Sequence, residues 1–158
     1  LFRGAGFLCD ASEVSIVKWR TAIQGIYLDC CVDEDAQVKI SACRSLSRWA
    51  RVTERHHLTT FIYPLFHNLL LEEERHDNVV IELVHQLVFT AQIVGRADAT
   101  KFLLHLFQAC MQQRSWRVRF VAASHSGSFI SFVTDSATTV LLGDLLRLLN
   151  DEEIQIQC

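Results

Sequence analysis

The string Arg114-Ser115-Trp116-Arg117-Val118-Arg119 places one indole among three guanidinium groups within six residues. Aromatic and arginine side chains anchor protein interfaces, because a rigid flat surface beside a fixed charge gains much contact for little lost freedom. Trp116 with Arg117 is therefore a candidate binding hot spot at a turn. The same indole can simply pack that turn against its neighbour, and the residues leave both readings open. Arg119 reads better as a brace between neighbouring units. Other residues of chemical interest do not converge. The seven histidines include the adjacent His56-His57, together with His76, His85 and His125. Neighbours on a helix point about 100° apart, so this spacing does not gather metal ligands as a zinc site requires; surface or inter-helix packing is expected. The six cysteines, Cys9, Cys30, Cys31, Cys43, Cys110 and Cys158, form no CxxC and sit mostly in apolar text. Reduced, buried thiols of an intracellular protein are expected. No GxSxG, P-loop, GxGxxG or HExxH string occurs. The reading is of a non-enzyme with no catalytic, cofactor-binding or metal-binding residues. The acidic runs Glu72-Glu73-Glu74-Arg75 and Asp151-Glu152-Glu153 suit solvated turns with carboxylates at helix N-termini, where a role in partner choice can be added.

These candidates share one context. An acidic or amide residue, then a β-branched one and a polar or basic one, recurs in four turns. The anchors Val38, Val79, Val118 and Ile154 lie 41, 39 and 36 residues apart. A period near forty in helical text marks a solenoid of helix pairs. Apolar spacing supports it. Val14, Val17, Trp19, Ile23, Ile26 and Tyr27 mark a first helix, followed by Val38, Ala42, Leu46, Trp49 and Ala50 on a second. Leu58, Ile62, Leu65, Phe66 and Leu69 are answered by Val79, Leu83, Leu87 and Ala91, and Leu103, Leu106, Phe107 and Cys110 by Val118, Ala122, Phe129 and Phe132. A last helix carries Val140, Leu141, Leu145, Leu146, Leu148 and Leu149. Pro64 should kink its helix or mark a late start. The stretch Ser124 to Ser128, with Gly127, should weaken and bend another. Asp98, and Asp135 or Ser136, are expected N-caps.

The units thus run 13–53, 55–96, 97–134 and a partial 136–158, with 1–9 as the tail of an earlier one. The fold class is all-α, an α-solenoid of antiparallel helix pairs. A single pair cannot bury its apolar faces, whereas stacked pairs share one core. The pattern is already running at Leu1 and still running at Cys158, so the chain reads as a segment of a longer protein. Half of the residues are hydrophobic and only one is proline, which favours long helices over disorder. No apolar run is long enough to span a bilayer, and no signal peptide is visible. Fifteen basic against eighteen acidic residues argue mildly against nucleic acid. On the second helices, Lys39, Arg44, Arg48, Arg51, Arg117 and Arg119 leave a gap without Lys or Arg from Asp77 to Val94. That gap disfavours the continuous basic groove of a helical-repeat nucleic-acid-binding enzyme.

The turn Asp33-Glu34-Asp35-Ala36-Gln37-Val38-Lys39-Ile40-Ser41-Ala42 resembles the HEAT-repeat pattern, a leucine pair followed by Asp, Val, Arg or Lys, and Ala at fixed spacing. Tyr63-Pro64-Leu65-Phe66-His67-Asn68-Leu69 and the Arg114 to Phe120 string are more specifically similar to the scaffold (A) subunits of protein phosphatase 2A, in register along the whole chain. The resemblance implies a non-catalytic, cofactor-free scaffold in the cytoplasm, and also in the nucleus. A regulatory (B-type) subunit would dock on this segment, and the phosphatase catalytic subunit on repeats outside it. Neither nucleic acid nor membrane is implied as a partner. The implied docking residues are the intra-repeat turns: Asp33, Glu34 and Asp35; Glu73, Glu74, Arg75 and His76; Gln113, Arg114, Trp116 and Arg117; Asp151 and Glu152. The family's Asp with a basic residue six positions on is kept as Asp33 and Lys39. It is broken at Glu74 with Val80 and at Gln113 with Arg119. An importin-type adaptor is the alternative, and would present a row of Trp and Asn on the second helices, where this chain has Trp49 alone.

Overall fold

A computed structural model describes residues 13–71 and 76–153, and these are helical with no strand among them. Helix α1 is Glu13–Cys31, α2 is Ala36–Cys43 and α3 is Leu46–Val52. Helix α4 runs unbroken through Arg55–His57, a π-helical stretch Leu58–Ile62, and Tyr63–Leu71. Helix α5 is Asp77–Val94. Helix α6 again has three parts, Arg96–Asp98, a π-helical Ala99–Leu103, and Leu104–Met111. Helices α7, Trp116–Ile130, and α8, Asp135–Leu148, complete the order. In space α2 and α3, then α5, then α7 lie side by side. Helices α4, α6 and α8 form a second layer against them, and α1 packs on α2. The expected unit tail at 1–9, the anchor Ile154, and Glu72, Glu73, Glu74 and Arg75 lie outside the described residues.

One apolar core runs between the layers from Tyr27 to Leu148. Phe66, Phe107, Phe129, Leu83 and Leu87 are among its fully buried side chains, each stabilising the fold by about 1.5–3 kcal/mol. The Phe107 and Phe129 rings stack at 4.1 Å between α6 and α7. Helix α5 is the most enclosed element, because α3 and α7 flank it within its layer. It therefore buries Val79 and Leu83 together with Val80, Val84 and Val88, more than one stripe of its surface. The outer helices are covered on one side only among the described residues. Ile26 on α1 and Val140 and Leu146 on α8 are accordingly exposed although they fit the apolar spacing.

Four expectations need correction. The second helix of the first unit is not continuous: a turn at Arg44 and Ser45 divides α2 from α3. The Ser45 hydroxyl donates to the Ala42 carbonyl at 2.8 Å, a side-chain bond that competes with helix propagation. On α2 the anchor Val38 is 37% exposed, while Lys39 and Ile40 are buried. Asp98 and Asp135 are not caps. Gly95 and Thr134 precede the two helices, and both aspartates lie in the first turn, paired with arginines. Helix α7 passes through Ser124 and Gly127 without interruption, since the Ser124 and Ser126 hydroxyls fold back onto the Phe120 and Ala123 carbonyls. Pro64 falls one residue past the first π-helical stretch, where a widened turn relieves its clash with the preceding carbonyls. Proline is not the whole cause, because α6 repeats the π-helical stretch 41 residues on without one.

Candidate docking edge at the helix-pair turns

The turn before α2 is built by its own carboxylates. Asp33 Oδ1 accepts from the Asp35 amide at 2.8 Å, and Asp35 Oδ1 accepts from the Gln37 and Val38 amides at 2.7 and 3.3 Å. Asp35 is thus a true N-cap, satisfying amides that the first helical turn leaves unpaired. Glu34 between them is exposed and free to meet a partner. Of the second turn only its end is described: His76 is exposed and precedes α5 without a side-chain cap.

The second, third and fourth turns are tied edge to edge. Ser115, at the cap position of α7, donates its hydroxyl across to Asp77 Oδ2 at 2.6 Å. Arg117 Nη2 donates to Asn78 Oδ1 at 3.0 Å. A cleft of about 700 Å³ opens between these turns, bordered by Asp77, Gln112, Gln113, Arg114 and Val118 among the described residues. Trp116 stands at this edge, 38% exposed, with no ring partner among the described residues. Exposure of a large ring beside an anchored guanidinium fits an interface anchor. Arg117 is exposed but held, so its charge has a fixed place.

Arg119 braces the third turn to the fourth, as its place in the sequence suggests. It grips Asp151 through two bonds of 2.7 Å and donates to the Gln113 and Arg114 carbonyls at 2.8 Å each. The bond from Arg119 holds the Asp151 carboxyl below the usual carboxylate range, and the Glu153 amide adds to this at 3.1 Å. Of the sequence-named docking residues, Asp151 is therefore turned inward into a pair, whereas Glu152 beside it is exposed. The basic position six residues after Gln113 meets only backbone carbonyls in its own turn. It reaches the acid of the next one.

A second set of ties lies at the opposite ends of the helices, and sequence reasoning missed it. Arg55 at the start of α4 bonds Asp98 of α6 at 2.8 Å, and Arg96 at the start of α6 reaches Asp135 of α8 at 3.4 Å. Nearer the turns, Gln108 in the last turn of α6 donates to Asp144 of α8 at 2.6 Å. The signal was present as Arg55 and Arg96, 41 residues apart, each followed about forty residues later by an aspartate.

Among the described cysteines Cys30, Cys31, Cys43 and Cys110 are unbridged. Burial pushes the Cys31 thiol up to about 11 and Cys43 to about 12, so both stay protonated and unreactive. No cluster of three or more His, Cys, Asp and Glu residues occurs among the described residues. Trp49 packs against Tyr27 and Phe61, with ring centroids 5.3 and 6.5 Å away. No described helix is long and apolar enough to cross a membrane. No family model matches this chain, and no curated protein matches it.

Proposed function

We propose that this chain is a non-catalytic scaffold, an α-solenoid of HEAT repeats that seats partner proteins along its row of turns. One observation carries the reading. Side chains meet partners one helix pair further on at a nearly constant offset of 38 to 40 residues at three successive joints: Arg44 with Glu82, Asn78 with Arg117, His85 with His125, and Arg96 with Asp135. A constant offset follows when like units stack in one direction, each contacting only its neighbours. The turns then fall in a row, and Trp116 and Arg117 stand where a partner can reach them.

The partner reading is of a serine/threonine protein phosphatase 2A holoenzyme, with a regulatory subunit on these turns and the catalytic subunit on repeats outside the segment. It rests on the resemblance of the Tyr63 to Leu69 and Arg114 to Phe120 strings. An importin-type adaptor fits less well, because Trp49 is engaged by Tyr27 and Phe61 instead of standing in an open row. Co-purification of the chain with a recombinant phosphatase 2A regulatory subunit tests the proposal. A complex stable to gel filtration is expected; separate elution at micromolar concentration under gentle conditions would sink it.

A further inference from the structure

The side of α3 and α5 away from α4 carries a feature that the turns do not explain. Arg44, Arg48 and Arg51 recur at i, i+4 and i+7 and border one groove between the two helices. Across it α5 presents Glu82, Gln86 and Phe89 at the same spacing. The floor is rigid. Arg44 bonds Glu82 at 3.1 Å, and Glu82 accepts from Gln86 at 3.0 Å. Gln86, 4% exposed, accepts in turn from the Ser47 amide at 3.2 Å, an amide that the break before α3 leaves without a helical partner. Three guanidinium groups therefore face one carboxylate, and that carboxylate is already taken. Arg48 and Arg51 are exposed and have no carboxylate partner among the described residues. Phe89 stands at the same rim, 53% exposed.

We propose that this groove, about 390 Å³ in volume, is a docking site for an acidic peptide segment carrying an apolar side chain. Charge selects the occupant. Two uncompensated guanidinium groups present planar forks that match carboxylates, and the phenyl ring beside them offers the apolar contact. The Arg44 to Arg51 row spans about 10 Å, which an extended peptide covers in roughly three residues. Its alternate side chains can then reach the arginines and Phe89 in turn. Nucleic acid is the poorer fit, since a phosphate backbone needs a basic track. Here the basic stripe ends at α5, which has no Lys or Arg from Asp77 to Val94. The site is separate from the edge at Trp116 and does not depend on the phosphatase reading.

Fluorescence anisotropy at low salt tests it, with a labelled peptide of alternating glutamate and leucine as probe. A lysine–leucine peptide and single-stranded oligothymidylate serve as comparison probes. The glutamate–leucine peptide should bind. Arg48→Glu combined with Arg51→Glu should weaken it by about tenfold or more, and Phe89→Ala severalfold, with unchanged circular dichroism in both variants. Arg48→Lys with Arg51→Lys should restore only part of the binding, since lysine lacks the fork. Failure of the glutamate–leucine peptide to bind would overturn the proposal, as would binding that ignores the charge reversal. Tighter binding of oligothymidylate would reassign the groove to nucleic acid. Self-association of the wild type that is lost in the charge-reversed variant would assign it to a second copy. Either result overturns the peptide reading.

Discussion

Arg119 makes four hydrogen bonds with a single side chain, and no other residue type can repeat them, because only a planar fork reaches a carboxylate and two carbonyls at once. Arg119→Ala should lower unfolding stability by roughly 2 kcal/mol, and Arg119→Lys should recover less than half of that in a urea melt. The pair also has a pH signature. Asp151 titrates below its ordinary value of 3.8 when folded, so its contribution is complete above that value and is lost as pH falls through the lower, folded one. Wild type should therefore lose more stability than Asp151→Asn on acidification below about pH 4. Trp116 is the converse case. Its ring is 38% exposed, so Trp116→Ala should lower stability by only about 1 kcal/mol and weaken regulatory-subunit binding at least tenfold. A large stability loss with unchanged binding per folded molecule would make the ring structural. At this scale the sequence showed residue types but not their partners. Asp35 reads in the sequence only as a turn residue, although its capping bonds are local. Asp98 was misread as a cap because the arginine it meets lies 43 residues earlier.

Helix pairs and their turns were legible from apolar spacing, since each element buries a face against the same core. The break between α2 and α3 was not, because the amide it frees is satisfied by Gln86, 39 residues away. Gln86→Ala should therefore loosen the first unit from the second and raise amide exchange at Ser47, and Gln86→Glu should not rescue it, because its carboxylate would face Glu82. Helix α7 poses the opposite case. Its serine–glycine stretch looks weak in sequence, yet the helix is held by the burial of Ala122, Ser126 and Phe129. Gly127 is exposed, and a Cβ there would meet nothing within 4 Å. Gly127→Ala should stabilise the protein by about 0.5–1 kcal/mol, read as a raised melting temperature; a loss would mean that α7 needs its flexibility.

The whole molecule is joined by the same few kinds of contact, repeated. Between the second and third pairs, His67 meets His105 across α4 and α6 with centroids 6.4 Å apart, and His85 meets His125 across α5 and α7 at 4.8 Å. Burial, and then the facing histidine, lower the pKa of both His105 and His125 below 6.5. The unfolded chain then binds more protons than the folded one just below that value, so stability is full above about pH 6.5 and falls on acidification. His105→Gln with His125→Gln should flatten the melting temperature between pH 7.5 and 5.5, whereas wild type should drop. The sequence offered these histidines singly, and their pairing needed the offset between units. The two pairs sit in opposite layers of one joint, so protonating His105 and His125 loads that joint from both layers at once. The Arg119 clasp on Asp151 secures one margin only, and releasing it leaves α8 tied by Arg96 and Asp135 at its other end, as a door is held at its hinge.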